Sequence, residues 1–264
     1  MAGTASGHSR FKERMTRYAA GTWTRAVGAW SLGRGSPMAV LFDVDDTLVD
    51  HSSAERAAAL SFRRRFSTVL ANTDQEFAAL WHRASEKHFA SFNAGECSYQ
   101  EQRRRRIREF FGPAVGDADA DELFDIYLTA YRENWRLFPD VLPCLDALAG
   151  EALGIISNNG TEATLTKLRY VGLAERFADV TTPENTGVSK PDARIFRAAC
   201  ARLGVIPEGS LYVGDRLDGD ARAARDAGLT GVWIDRTGSS DPPGPAEGIV
   251  VIRDLRELPP MLAQ

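Results

Sequence analysis

Five short apolar runs, at 39–43, 152–157, 178–182, 210–215 and 231–235, constrain this chain more than any other feature of its 264 residues. Each has the length of a strand, is rich in Val, Ile or Leu, and is flanked by Gly, Pro or charged residues. Helix-period segments lie between the later runs. Residues 161–171 stop before Gly172, 191–203 open on Pro191 and stop before Gly204, and 218–227 stop before Gly228, the usual punctuation of helices. Strands apolar on both faces and joined by helices form a parallel sheet covered on both sides. The expected fold class is α/β, with a doubly wound, Rossmann-like parallel sheet.

One stretch breaks this rhythm. Residues 52–135 carry only helical patterns, at 54–70, 74–92, 98–111 and 121–135. They predict an all-helical domain inserted after the first strand, which splits the Rossmann-like core into 38–51 and 136–264. Its arginine clusters, 63–65, 103–106 and Arg108, read first as solvated helix faces. The alternative is a second anion site for a substrate. Trp81, Phe89 and Phe92 read first as bundle core, with stacking on a substrate ring as the alternative. Residues 238–247 form a surface loop, and a strand at 249–252 with a short helix closes the chain. Residues 1–37 carry Arg10, Lys12, Arg14, Arg17, Arg25 and Arg34 against one acid, Glu13. They read as a loosely ordered basic extension, with docking or dimerisation through Trp23 and Trp30 as the alternative. The sequence carries no signal for an oligomeric state.

Composition narrows the function classes. A formal net charge of −4 gives no basic surface for nucleic acid or an anionic membrane. Cys97, Cys144 and Cys200 are far apart with no CxxC pair, which reads as reduced thiols in a cytosolic protein. His8, His51, His82 and His88 have no metal-binding spacing and read as structural or solvent-facing. No stretch reaches the roughly 18 apolar residues of a membrane span, and the N-terminus lacks the apolar segment of a signal peptide. The expected location is the cytoplasm.

Polar residues gather where the apolar runs end. "FDVDDTLVD" places Asp43, Asp45, Asp46 and Asp50 within nine positions of the first run's end. The second run ends in Ser157-Asn158 and the fourth in Asp215. In an open parallel sheet, ligands bind outside the carboxyl ends of the strands, near the point where strand order reverses. Asp43, Asp45 and Asp215 cannot all ionise there without a cation. Carboxylate and carbonyl oxygens with no His or Cys nearby select Mg²⁺ over Zn²⁺. A hydroxyl (Ser157), an ammonium (Lys190) and backbone N–H groups around such a metal suit a phosphoryl dianion, and a carboxylate can act as the covalent nucleophile.

The segments "FDVDDTLVD", "IISNNG", "SKPD" and "VGDRLDGDARAARDAGL", in this order, resemble the four motifs of the haloacid dehalogenase-like (HAD) superfamily, phosphatase branch, over 39–236. The resemblance implies a phosphatase acting through an aspartyl-phosphate. Asp43 would be the nucleophile. Asp45 would protonate the leaving oxygen and then activate water, its backbone carbonyl also touching Mg²⁺. Thr47 would support the first motif's loop at the substrate site, Ser157 would bond a phosphoryl oxygen with Asn158 beside it, and Lys190 would offset charge. Asp215 would bind Mg²⁺ and Asp220 would order the metal site. Arg216 stands where a small polar residue is common and Gly219 where relatives often have Asn; Arg216 could reach substrate or cap. Asp46, at a position that tolerates Gly in relatives, would shape the loop, and Asp50 would mark the hinge to the inserted helices. Those helices resemble the family's first class of helical cap, which implies a small phosphorylated metabolite as substrate. Dehalogenases proper lack the second Asp, so Asp45 favours phosphate chemistry. The alternatives are a phosphomutase or phosphotransferase, then a 2-haloacid dehalogenase or a non-catalytic binding protein.

Overall fold

The computed structural model describes residues 38–238, 244 and 247–262. The expectations for 1–37, including His8, Trp23 and Trp30, and for most of the 238–247 loop lie outside the described residues.

Six strands form one parallel sheet: β1 (Ala39–Phe42), β2 (Ala152–Ile156), β3 (Asp179–Thr181), β4 (Leu211–Gly214), β5 (Thr230–Ile234) and β6 (Val250–Ile252). Their order is β3-β2-β1-β4-β5-β6. β1 is central, with Phe42 opposite Ile155 on one side and Val213 on the other. The order reverses at β1, so the carboxyl ends of β1, β2 and β4 open onto one crevice.

The two-residue period of β1 serves both faces. Val40 and Phe42 join a cluster with Ile155, Val213, Val232, Leu145 and Leu168. Ala39 and Leu41 join another, with Ile156, Ile195, Phe196, Tyr212 and Ala224. This is why the run between Ala39 and Phe42 has no polar member: all four residues are buried.

Between β1 and β2 lie α1 (His51–Arg65), α2 (Asp74–Asn93), α3 (Tyr99–Phe111), α4 (Asp117–Glu133) and the short α5 (Val141–Ala147). α1 to α4 build their own apolar cluster around Phe62, Phe77, Trp81, Ile107, Phe124 and Tyr127. Trp81 is fully buried there and is core. Phe89 lines a cavity described below, and Phe92 packs on Phe89 and Tyr99. Helix ends differ from the sequence expectation where caps override periodicity. α1 starts at His51 because the Asp50 side chain accepts from Ser53 N at 3.0 Å. α2 starts at the expected Asp74, where Thr73 and Glu76 form a capping box. α5 is too short to show a helical period and is absent from the sequence expectation.

The rest of the chain holds α6 (Thr161–Tyr170), α7 (Pro183–Thr186), α8 (Ala193–Leu203) and α9 (Ala223–Ala227), and ends in α10 (Pro259–Leu262). The segment expected as one helix over 218–227 begins as a π-helical turn, Leu217–Arg222, in which Arg216 O accepts from both Asp220 N and Ala221 N. It packs so close to β5 that a Cβ on Gly231 would lie 2.0 Å from Ala221 O. Among the described residues no helix is long and apolar enough to cross a membrane.

Trp81→Ala should cost about 3–5 kcal/mol, as truncation of a buried aromatic does. Urea unfolding followed by circular dichroism measures it.

Candidate active site

The crevice is built by the backbone first. Asp43 N donates to Val213 O at 2.9 Å, which carries the β1–β4 ladder one residue past the strand and fixes Asp43 at the sheet edge. The chain then turns sharply, and Leu48 N and Val49 N both donate to Val44 O. Asp46 sits at φ 56°, a left-handed conformation that glycine adopts freely and Asp tolerates. Its carboxylate accepts from Ser52 N at 2.8 Å and Ser52 Oγ at 2.7 Å, tying the turn to α1. Asp46 and Asp50 are thus builders of the loop and the helix start.

Lys190 links the first and last motifs. Its Nζ donates to Asp43 Oδ1 at 2.7 Å, Asp220 Oδ1 at 2.7 Å and Tyr212 Oη at 2.9 Å. Burial alone would lower the Lys190 pKa, but Asp220 and Asp43 outweigh it and hold the proton on. Asp220 Oδ1 also accepts from Tyr212 Oη at 3.0 Å, and its Oδ2 from Arg216 N at 3.0 Å. Gly214 makes room for this side chain: a Cβ there would lie 2.4 Å from Asp220 Cγ.

One expectation needs correction. Asn158 lines the cavity beside Ser157, and its amide also donates to Lys190 O at 2.9 Å and accepts from Lys190 N at 2.8 Å. It clamps the lysine's backbone. Thr47 is wholly buried, does not line the cavity, and uses its carbonyl to accept from Arg236 Nη2 at 2.7 Å. It supports the loop from behind and has no access to a substrate. Arg216 lines the cavity and reaches Glu86 on α2 at 2.8 Å. This pair is exposed and contributes about 0–1 kcal/mol.

Asp45 belongs to a different network. Its Oδ2 accepts from Asn159 Nδ2 at 2.8 Å and its Oδ1 from Lys167 Nζ. Lys167 also donates to Tyr131 Oη at 2.8 Å and lies 5.1 and 5.3 Å from the ring centres of Tyr131 and Trp135. Tyr131 Oη is 2.6 Å from His51 Nδ1. Burial pushes the Asp45 carboxyl up, but Lys167 and then His51 outweigh it and hold it below the usual range. Sequence reasoning missed Lys167, Tyr131, Asn159 and His51. A signal existed for Lys167 alone: it falls at helical spacing from buried Thr164, on the face α6 turns to the core.

Asp43, Asp215 and Asp220 each offer a carboxylate oxygen, all within 4.8 Å of one another. Burial first, and then neighbouring carboxylates, push Asp43 to about 7 and Asp215 to about 8. Such a buried cluster of hard oxygens, with no His or Cys among them, fits Mg²⁺. Both Asp220 oxygens already accept hydrogen bonds, so Asp43 and Asp215 are the open donors, with Asp220 behind them. Ser157 is buried beside them. Its N–H donates to Thr181 O at 3.0 Å and its Oγ accepts from Asn159 N at 3.2 Å, which leaves the hydroxyl proton to donate. A cavity of about 340 Å³ joins these groups to α1–α4, which contribute Glu55, Phe89, Arg103, Arg106 and Tyr127 to its lining.

Fold and site together place a buried cluster of carboxylates, a lysine and a serine hydroxyl at the carboxyl edge of a parallel sheet. The chain belongs to the haloacid dehalogenase-like hydrolases, whose family model matches residues 37–228. It is 34% identical over 205 residues to a glyceraldehyde 3-phosphate phosphatase of Methanopyrus kandleri, covering 75% of this chain and 84% of that one. It is 30% identical over 245 residues to a phosphoserine phosphatase of Thermus thermophilus, covering 83% and 96%. A solved 2-haloacid dehalogenase of Pseudomonas syringae superposes with a TM-score of 0.63 at 26% identity, covering 86% and 98%. The chain is a phosphoric monoester hydrolase of this family.

Lys167→Met should raise the Asp45 pKa, which carboxyl-carbon NMR reads directly. The sign also shows in stability. The folded value is depressed, so the pair's contribution is present above the unfolded value of ~3.9 and is lost as pH falls through the lower folded value. The wild type should therefore lose more stability than the variant between pH 5 and 3.

Proposed function

We propose that this chain is a Mg²⁺-dependent phosphatase that hydrolyses a small phosphorylated metabolite through an aspartyl-phosphate on Asp43. The observation that carries the reading is the separation of two aspartates two residues apart. Asp43 is held by Lys190 among metal-type carboxylates, and Asp45 is held away from them by Lys167 and Asn159.

Asp43 Oδ attacks phosphorus while the bond to the leaving oxygen breaks, and that oxygen takes a proton from Asp45. Water then gives its proton to Asp45 and attacks the same phosphorus, releasing Asp43 and inorganic phosphate. Without substrate, Asp45 is the anion of an ion pair, the form suited to the second step. A bound phosphoryl dianion would oppose that charge and raise its pKa, favouring the protonated form needed for the first. Ser157 Oγ–H and Lys190 Nζ supply fixed positive ends for the phosphoryl oxygens. Mg²⁺ on Asp43 and Asp215 would offset the charge of nucleophile and phosphoryl group. α1–α4 act in this reading as a cap over residues 38–51 and 136–264, excluding water and limiting substrate size. The likeness to a dehalogenase is one of fold, and the placement of Asp45 supports ester chemistry.

Asp43→Asn should abolish turnover of p-nitrophenyl phosphate with the fold intact, and Asp45→Asn should lower kcat by about 10²–10⁴-fold. Full activity in Asp43→Asn would sink the proposal.

Mg²⁺ should raise Tm, and more so at higher pH. Asp43 and Asp215 have raised values, so their contribution to metal-free stability is present below the unfolded value of ~3.9. It is lost as pH rises through about 7 to 8. The Mg²⁺-induced shift in Tm should therefore grow between pH 5 and 8 and shrink in Asp215→Asn, as thermal melts with EDTA or Mg²⁺ would show.

A further inference from the structure

The arginine row of α3 divides in two. Arg104 pairs with Asp117 and Asp121, Arg105 with Glu101, and Arg108 with Glu101 and Asp117. This half is the solvated, ion-paired face. Arg103 and Arg106, three residues apart and so on one side of the helix, both line the cavity that holds Asp43 and Asp45.

Arg106 is only 9% exposed. Its Nε and Nη2 donate to Gln102 Oε1 and its Nη1 to Ser85 Oγ, all neutral acceptors. Its guanidinium lies 5.1 Å from the ring centre of Phe124. Arg103 lies over Tyr99 at 4.4 Å and over Phe124 at 5.2 Å. Neither arginine makes an ion pair among the described residues, while three neighbours on the same helix do. The carboxylate that acts on Arg106 through space, Glu55, is itself engaged by His82 at 2.8 Å and by Ser85. A buried guanidinium with no counter-charge in contact and a second cation beside it is unfavourable by itself. Burial, with Arg103 adding repulsion, holds Arg106 below the usual arginine value. An anion between the two side chains would relieve both effects, and a planar guanidinium braced against aromatic rings suits two-point contact with a carboxylate or phosphate.

We propose that Arg103 and Arg106 form an anion subsite in the helical wall of the cavity. The substrate then carries a second anionic group, a carboxylate or a further phosphate, besides the phosphoryl group that is cleaved. The phosphoryl end of this proposal rests on the phosphatase reading above.

Binding of three non-hydrolysable probes, measured by calorimetry on the full chain with Mg²⁺, tests it without turnover. The probes are 3-phosphonopropionate, propane-1,3-bisphosphonate and the singly headed propylphosphonate. At least one doubly anionic probe should bind about 10- to 100-fold tighter than propylphosphonate, the range expected of charge-assisted hydrogen bonds. Whichever is preferred names the second group. Arg103→Met and Arg106→Gln should each cut that preference at least about fivefold, with Arg103→Met, at a half-buried side chain, as the safer variant for folding. Arg105→Gln, on the ion-paired face, should leave the preference unchanged. Equal binding of all three probes by the wild type, absence of binding, or a preference that survives both cavity variants overturns the proposal. A preserved preference with no hydrolysis of p-nitrophenyl phosphate would instead overturn the phosphatase reading and leave the subsite standing.

Discussion

The ammonium of Lys190, buried between Asp43 and Asp220, is the interaction on which the rest of the site depends. Four carboxylates, Asp43, Asp45, Asp215 and Asp220, converge at one sheet edge, and two ammonium groups, Lys190 and Lys167, face them. Breaking a buried pair strands an uncompensated charge at a cost of about 3–5 kcal/mol. The surroundings are accordingly built to hold Lys190 in place. Asn158 clamps its backbone, Tyr212 accepts from its side chain, and the missing side chain of Gly214 lets Asp220 reach it. Burial, and then the neighbouring carboxylates, push the Asp43 and Asp215 carboxyls up, so both resist ionisation.

The two lysines also divide the labour of two aspartates that neighbour each other in sequence. Lys190 keeps Asp43 with Asp215 and Asp220, and Lys167 draws Asp45 toward Tyr131 on α4. Because Tyr131 and His51 belong to the inserted helices, the state of Asp45 is coupled to where those helices sit. The insert thus contributes to the electrostatics of Asp45, and its arginines 103 and 106 give the far wall of the cavity a charge opposite to that of the carboxylate cluster.

Much of this was legible in the sequence. The parallel sheet followed from apolar runs joined by helices, and Asp43, Ser157 and Asp215 announced themselves by ending those runs. The insert was legible because a long stretch held helical patterns and no strand. Helix ends were less so: α1 starts at His51 because Asp50 caps it, a local hydrogen bond that outweighs periodicity. The arginine row could not be sorted from sequence, since adjacent arginines of one helix look alike until their partners on α4 are known. Asn158 lines the cavity beside Ser157, but its clamp on the Lys190 backbone, 32 residues away, could not be read from sequence.

By itself the sequence determined the fold class, the order of the motifs and that Asp43, Asp45 and Asp215 meet at the sheet edge. Those properties follow from local burial periodicity and from the rule that parallel strands deliver their carboxyl ends to one side. Only the tertiary structure decided how charge is shared there. Lys167 lies 122 residues from Asp45, and Tyr131 lies 36 from Lys167, on a different helix. Electrostatic partnership depends on distance through space and on burial, and neither is written in sequence spacing once the chain has turned.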